Sequence, residues 1–282
     1  MLGKASVVFA LAGALCLAAA AADRVLKEQL NEQYSRKILF LRHSVMSDAQ
    51  EYDSEGNLQG KSEEGPWTFC GRILVDKIAL EENKLRLEGN HVVDKFDEQA
   101  RRSIPSRHPE RLKVTIQLRS PLASMDQAVA VLGRVFFATE NEMLNAAPPD
   151  WRPYLSRTGL QDVKELKNDG TQFLPSSPLA TSTRGEQVFK PGPNIKAPKL
   201  TYSREPEISE TARRHQFEGV VGLNVIIDSK GRVDKIIIAH PVGMGLDEEA
   251  IRAVKTWRFT PAIQNGQPVA VAVYIEVNFR LY

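Results

Sequence analysis

The chain has 282 residues, of which 26% are charged and 42% are hydrophobic. This composition is typical of a folded protein and excludes collagen, coiled-coil rods and wholesale disorder. The 37 lysines and arginines nearly balance the 35 aspartates and glutamates, and the resulting charge of +2 argues against nucleic acid as a partner. Two cysteines exclude a dense disulfide framework.

Residues 1–22 have the plan of a signal peptide. Lys4 precedes an apolar, alanine-rich run that ends in the small residues Ala20-Ala21-Ala22. We expect cleavage near Ala22 and export of the mature chain. An uncleaved inner-membrane anchor is the weaker alternative, because residues 5–22 only just reach the length of a membrane span.

Residues 23–146 are predicted to form a β-rich domain of unknown function with one long helix. Alternation of apolar and polar residues predicts several strands, among them 71–78, 84–89 and 112–118. The apolar period then changes to that of a helix over residues 124–145. Prolines follow at once, and proline cannot continue a helix.

Residues 147–196 are rich in proline, serine, threonine and glycine, and we interpret them as a linker. Beyond it, residues 197–282 mix helical and strand signals in an α+β pattern. Helices are predicted at 207–217 and 246–257, and strands at 219–227, 232–240 and 269–281. Asp228-Ser229-Lys230-Gly231 predicts a hairpin turn, with Gly231 supplying a positive φ.

These residues resemble the carboxyl-terminal domain of the TonB family. The resemblance is carried by EGVVGLNVIIDSKGRV at 218–233, GLDEEAIRAVKTWRFTPA at 245–262, NGQPV at 265–269 and NFRLY at 278–282. It implies a three-stranded antiparallel sheet with two helices. It also implies a binding protein without catalytic residues, metal or cofactor.

The resemblance further implies a periplasmic location and a set of partners. In this family an extended peptide of an outer-membrane transporter, the TonB box, adds as a strand to the sheet edge. The resemblance also implies an inner-membrane motor complex as a partner. The terminal strand has few charges on its exposed row, so its edge could also pair with a second copy of the chain. We expect the residues that bind the peptide to be Tyr202, Ala270, Ala272, Tyr274, Glu276 and Asn278.

The chain departs from a full-length energy transducer of this family in two ways. Such a transducer has a membrane helix that carries a serine and a histidine, whereas residues 1–22 contain Ser6 and no histidine. The long Pro/Lys/Glu repeat of the family is also missing. Partner binding is therefore a firmer expectation than energy transduction.

Two other classes of function stay open. The chain could be a ligand-binding or envelope-structural protein that uses the TonB-like region for docking or self-association. A weaker alternative is an enzyme housed in residues 23–146. The sequence contains no HExxH, CxxC or GxSxG motif, and no two of its five histidines have the spacing of a metal site.

Overall fold

The computed structural model describes residues 21–97, 102–158 and 182–281. Almost all of the expected signal peptide lies outside these residues. The description begins within helix α1 (residues 21–34), which buries Leu26 and Leu30. Within the described ranges, none of the helices combines the length and the apolar character needed to cross a bilayer.

The amino-terminal unit, residues 21–146 where described, is built on a five-stranded sheet. Its strands lie in the order β1-β3-β4-β5-β2, and only the β2–β5 pair is parallel. They are β1 (Ile38–Phe40), β2 (Ala49–Tyr52), β3 (Arg72–Glu81), β4 (Lys84–Asp97) and β5 (Arg102–Gln117). A one-turn helix, α2 (Trp67–Cys70), precedes β3.

The prediction of one long helix is wrong. Residues 124–145 contain most of two helices, α3 (Met125–Val135) and α4 (Glu140–Ala146), with extended residues between them. The Phe137 N–H donates to the Phe40 carbonyl in β1 (2.9 Å), and the Thr139 hydroxyl caps α4 by accepting from Glu142 N. Pairing with the sheet and a new amino-terminal cap therefore override the helical period of the sequence.

Part of the predicted linker is folded onto the rest of the chain. Helix α5 (Arg152–Thr158) follows Trp151, and Trp151, Tyr154 and Leu155 are all buried. The Asp150 carbonyl accepts a hydrogen bond from Ile238 N (3.0 Å), which fixes this segment against the second sheet.

The resemblance implies a sheet of three antiparallel strands. The second sheet contains three long antiparallel strands in the order β10-β9-β13, and three short strands widen it to six. The elements are β6 (Val188–Phe189), β7 (Ile195–Lys196), β8 (Leu200–Tyr202), α6 (Glu210–Arg214), β9 (Gly219–Ile227), β10 (Val233–His240), α7 (Leu246–Val254), β11 (Arg258–Phe259), β12 (Ala262–Gln264) and β13 (Gln267–Phe279). Strands β8 and β11 form a separate two-stranded ladder. The mixed α+β class is confirmed.

Helix α7 ends three residues before the predicted boundary. Lys255 and Thr256 form a turn, and Arg258 then pairs with Tyr202 of β8, which ends the helical path. Trp257 is only half-buried, and its indole N–H donates to the Arg204 carbonyl (3.0 Å).

The hairpin between β9 and β10 forms at the predicted turn. The Asp228 carboxylate accepts from the N–H groups of Lys230 and Arg232, an arrangement typical of aspartate in turns. Gly231 has φ of 77°, and a Cβ there would overlap the carbonyl oxygen of Phe259. Glycine is therefore required both by the backbone angle and by the close approach of β11.

One hydrophobic cluster joins the two sheets, and a second large cluster lies wholly within the amino-terminal unit. A single buried cluster contains Phe69 and Val92 of the amino-terminal unit together with Leu223, Ile238 and Leu246 of the carboxyl-terminal half. Hydrogen bonds cross the same boundary, among them Asp94 N to the Val242 carbonyl (3.2 Å) and the Ser103 hydroxyl to the Pro241 carbonyl (2.8 Å).

Candidate functional site

Strand β13 has an open edge. On one side, residues 271–279 pair with β9. On the other side, pairing is confined to the beginning of the strand, where residues 267–269 pair with β12 and residues 270–271 pair with β6. Among the described residues no strand covers this side of residues 272–279. We call these eight residues the open edge.

The open edge offers a row of main-chain donors and acceptors. At about 3.4 Å per residue it is about 27 Å long. An unpaired strand of this length is a template for another extended chain, which would complete the hydrogen bonds of the sheet. Its alternating side chains keep one face on the core, since Val277 and Phe279 are buried, while Tyr274, Glu276 and Asn278 are exposed.

The structure places the six predicted binding residues in three settings. Ala272, Tyr274, Glu276 and Asn278 lie on the open edge. Ala270 is only 2% exposed and pairs with Val188 of β6, so its main chain is already occupied. Tyr202 is 56% exposed but lies in the ladder of β8 and β11.

An aromatic band crosses the sheet beside the open edge. Tyr274 lies over Gly222 of β9, where a Cβ would overlap its hydroxyl oxygen. The Tyr274 ring contacts His240 with 5.9 Å between centroids, and His240 contacts Phe96 at 4.7 Å. Phe96 and Tyr274 are 48% and 49% exposed. Burial, and secondarily the charge of Glu276, raises the pKa of Tyr274, so its hydroxyl stays a neutral donor at neutral pH.

The first turn of α7 ties the edge-bearing sheet to the amino-terminal unit. The Asp247 carboxylate accepts from Val242 N (2.9 Å) and Gly243 N (2.7 Å), which fixes the loop before the helix. The Glu248 carboxylate accepts from the main chain and the hydroxyl of Thr68 (3.2 and 2.9 Å). Burial raises the pKa of both carboxyls. The negative charges of Glu248 and Asp94 raise the pKa of Asp247 further.

A cleft of about 910 Å³ lies between the amino-terminal unit and helices α6 and α7. Trp67 and Trp151 line it in an edge-to-face pair with 5.4 Å between ring centroids. The charged groups at its walls are largely paired, since Arg252 donates to both carboxylate oxygens of Glu249 (2.7 and 2.8 Å). Sequence analysis did not find this cleft, because its walls come from segments far apart in the chain.

Cys70 lies close to this region as a buried side chain. Burial, with smaller contributions from Glu248, Asp48 and Glu110, raises the pKa of its thiol to about 12. The thiol is therefore protonated at neutral pH and behaves as a small apolar residue.

Comparison with known proteins assigns the segment that carries the open edge. Residues 204–281 match the family model described as Gram-negative bacterial TonB protein C-terminal. This segment is a TonB carboxyl-terminal domain. The resemblance that the sequence motifs indicated is thereby confirmed over these residues, which we call the TonB segment.

Two individual proteins are similar to part of the chain. Protein TonB of Vibrio cholerae serotype O1 (strain ATCC 39315 / El Tor Inaba N16961) is 28% identical over 109 residues, which make up 38% of this chain and 43% of that protein. The chain thus spans less than half of the length of this relative. The solution NMR structure of the Pseudomonas aeruginosa TonB carboxyl-terminal domain is 24% identical, covers 34% of this chain and 97% of that one, and has a TM-score of 0.26.

Proposed function

We propose that this protein binds an extended segment of an outer-membrane transporter by β-strand addition to residues 272–279. The observation that carries the proposal is the open edge of β13 within a TonB segment. The protein acts by binding and not by catalysis. Its place is the periplasm, after export directed by residues 1–22, where it serves transport across the outer membrane.

The chemistry of the open edge supports this mode of binding. Main-chain hydrogen bonds to a peptide depend little on the peptide's side chains, so one edge can serve several transporters. The side chains of Tyr274, Glu276 and Asn278 then supply modest selectivity on the exposed face. The aromatic band extends that face across β9 and β10 and offers apolar contact area beyond the edge itself.

Energy transduction is the further step of this proposal. It requires a link from residues 1–22 to an inner-membrane motor, whereas a cleaved leader would make the protein a periplasmic adaptor. Mass spectrometry of the mature amino terminus separates the two: a chain that begins near Asp23 supports the adaptor, and intact Met1 on membrane-bound protein supports the transducer.

Proline substitution tests strand addition directly. The N–H groups of adjacent strand residues point to opposite sides, so one of Ile275 and Glu276 donates toward β9 and the other toward the open edge. Proline removes the N–H of the residue that it replaces. We expect one of Ile275→Pro and Glu276→Pro to abolish binding of a transporter amino-terminal peptide while the fold is retained, and the other to disrupt the fold. Peptide titration and circular dichroism are the measurements.

Alanine at the same two positions is the matched control, because it keeps both N–H groups. Glu276→Ala is expected to bind the peptide within about tenfold of the unsubstituted protein, a change of about 1.4 kcal/mol. If neither proline variant separates binding from folding, or if the unsubstituted protein binds no such peptide, strand addition to a transporter is refuted. Concentration-dependent dimers formed through the same edge would then favour self-association.

The cleft supports a second candidate function, the binding of a small ligand. Its volume of about 910 Å³ and its two indoles suit an amphipathic molecule. Native mass spectrometry of protein purified from the periplasm tests this candidate. A retained small molecule that Trp151→Ala releases would favour the ligand-binding protein, and a mass equal to that of the chain alone would count against it.

A further inference from the structure

His91 is a buried imidazole in which one ring nitrogen is hydrogen-bonded and the other is not. Its side chain is 2% exposed, and Nδ1 lies 3.2 Å from the Phe69 carbonyl oxygen. A carbonyl only accepts, so Nδ1 carries the proton and Nε2 presents a lone pair. Within the described residues Nε2 has no hydrogen-bond partner. This is the tautomer that metal-binding histidines adopt when a main-chain carbonyl orients them.

A bulge in the first sheet brings a carboxylate to this nitrogen. Asn90 pairs with Arg111 and Val92 pairs with Arg107, so the single residue His91 faces three residues of β5. The Asn90 side chain holds the bulge by donating to the carbonyls of His108, Pro109 and Glu110 (2.9 to 3.1 Å). A bulge re-aims side chains, and here it directs Glu110 toward His91.

Two further groups complete the cluster from other parts of the fold. Asp48 precedes β2, where its carbonyl accepts from Lys113 N (2.8 Å), and its carboxylate lies 3.8 Å from His91 Nε2. The ligand atoms of Asp48, His91 and Glu110 all lie within 4.8 Å of one another. His215, at the end of α6, places Nδ1 3.3 Å from a Glu110 oxygen.

We propose that Asp48, His91, Glu110 and His215 form a binding site for one divalent transition-metal ion, of which Zn²⁺ fits best. The four side chains line a pocket of about 350 Å³ that opens to solvent. Two imidazoles and two carboxylates are ligands that Zn²⁺ accepts in tetrahedral geometry. Mg²⁺ and Ca²⁺ prefer oxygen ligands alone, so the histidines select against them.

The surroundings hold the imidazoles in place. The Phe69 ring stacks on His91 with 4.3 Å between centroids, and it contacts His215 at 5.4 Å. The proposed ligands belong to both halves of the chain, since His215 lies in the TonB segment and the other three lie in the amino-terminal unit. A bound ion therefore cross-links α6 to the first sheet.

Metal titration of the full-length, tag-free protein tests the site. We expect one Zn²⁺ per chain by isothermal titration calorimetry, and with Co²⁺ an intense visible absorption band of the kind that tetrahedral coordination gives. Asp48→Asn removes a ligand charge at an exposed side chain and leaves the fold intact. We expect Asp48→Asn to weaken Zn²⁺ binding at least about tenfold. Loss of a residue that only hydrogen-bonds to a metal ligand weakens binding roughly 10–100-fold, and loss of a ligand itself should cost at least as much. His91→Gln is expected to abolish the Co²⁺ band.

His43→Ala is the matched control, because His43 is exposed and lies outside the cluster. It should bind Zn²⁺ as the unsubstituted protein does. His215→Gln separates a four-ligand site that joins the two halves from a three-ligand site within one half, and we expect it to shift the Co²⁺ spectrum. Zn²⁺ binding that is equally tight in Asp48→Asn and His91→Gln, or its absence from the unsubstituted protein, overturns the proposal. No transporter peptide enters these measurements, so the outcome is independent of the proposed strand addition.

Discussion

The two sheets differ in how their edge strands are protected from pairing with another chain. The first sheet ends in the short strands β1 and β2, of three and four residues, and the part of β5 that β2 leaves uncovered, residues 102–112, contains Pro105 and Pro109. The second sheet leaves the eight residues of its open edge uncovered within the part of the chain that is described. Short edge strands are a common way to prevent pairing with another chain, whereas a long open edge invites it. The contrast supports the proposal that the second sheet, and not the first, receives a partner.

We expect residues at the boundary between the units to stabilise the fold, and residues of the open edge to bind the proposed partner. At the boundary between the units, Arg72 and Asp94 form a buried ion pair with 2.6 Å between Nη2 and Oδ2. Changes at that boundary should affect the whole fold, and changes at the open edge should affect the partner first. The predictions that follow test this division.

The largest effect is expected at the buried ion pair. Asp94→Ala leaves the Arg72 guanidinium, whose side chain is 6% exposed, without its charged partner. Breaking one side of a buried pair costs about 3–5 kcal/mol. Urea denaturation should show this loss in the free energy of unfolding, and both sheets should unfold in the same transition because one buried cluster joins them.

Asp76→Ala is the control for that prediction. Asp76 also pairs with arginines, but Arg107 and Arg111 are half-exposed and can turn to water. The expected cost is below about 1 kcal/mol. If Asp94→Ala costs no more than Asp76→Ala, the boundary between the units is not the structural centre that the buried cluster joining the two sheets indicates.

A smaller effect is expected at the aromatic band. Tyr274→Ala uncovers Gly222 and removes the contact with His240, and cross-strand pairs of this kind contribute about 0.2–1 kcal/mol. The fold should therefore survive, while peptide affinity falls by up to about tenfold. Thermal denaturation and peptide titration measure the two effects. A loss of stability larger than the loss of binding energy would place Tyr274 in the supporting part of the molecule.

Local sequence signals predicted the elements that depend on local chemistry. The Asp228 turn with Gly231, the alternation along β13 and the start of α7 at Leu246 all follow from neighbouring residues. The TonB motifs located the segment that contains the open edge. Which part of β13 stays open was not predictable, because it depends on the short strands β6 and β12 pairing with its first residues.

Long-range contacts decided the features that sequence analysis missed. Strand β5 begins ten residues before the predicted strand, through Pro105 and Pro109, which ordinarily interrupt a strand. In the described chain, β2 covers only residues 113–116 of β5, so these prolines lie where no second neighbour needs their N–H groups. The cluster around His91 was missed for a similar reason: a bulge and two distant segments assemble it, and no spacing along the chain reveals it.

The smallest effect concerns pH and the contact between α7 and the amino-terminal unit. Burial raises the pKa of Glu248 and Asp247 in the folded chain above the unfolded values of about 4. The folded state then binds protons more readily than the unfolded state, so this contribution to stability is fully present below about pH 4 and is lost as pH rises through the raised values. Glu248→Gln keeps an acceptor for Thr68 N and removes one of the two charges. We expect its unfolding free energy, relative to the unsubstituted protein, to increase by up to about 1 kcal/mol between pH 5 and pH 8, since one pKa unit corresponds to about 1.4 kcal/mol.

Glu249→Gln, the next residue along the helix, changes the net charge equally and is the control in denaturation series at both pH values. If Glu248→Gln leaves the pH dependence of stability unchanged, the Glu248 carboxylate costs no more to ionise than a carboxylate in water. The contact between the two halves would then depend on apolar packing alone.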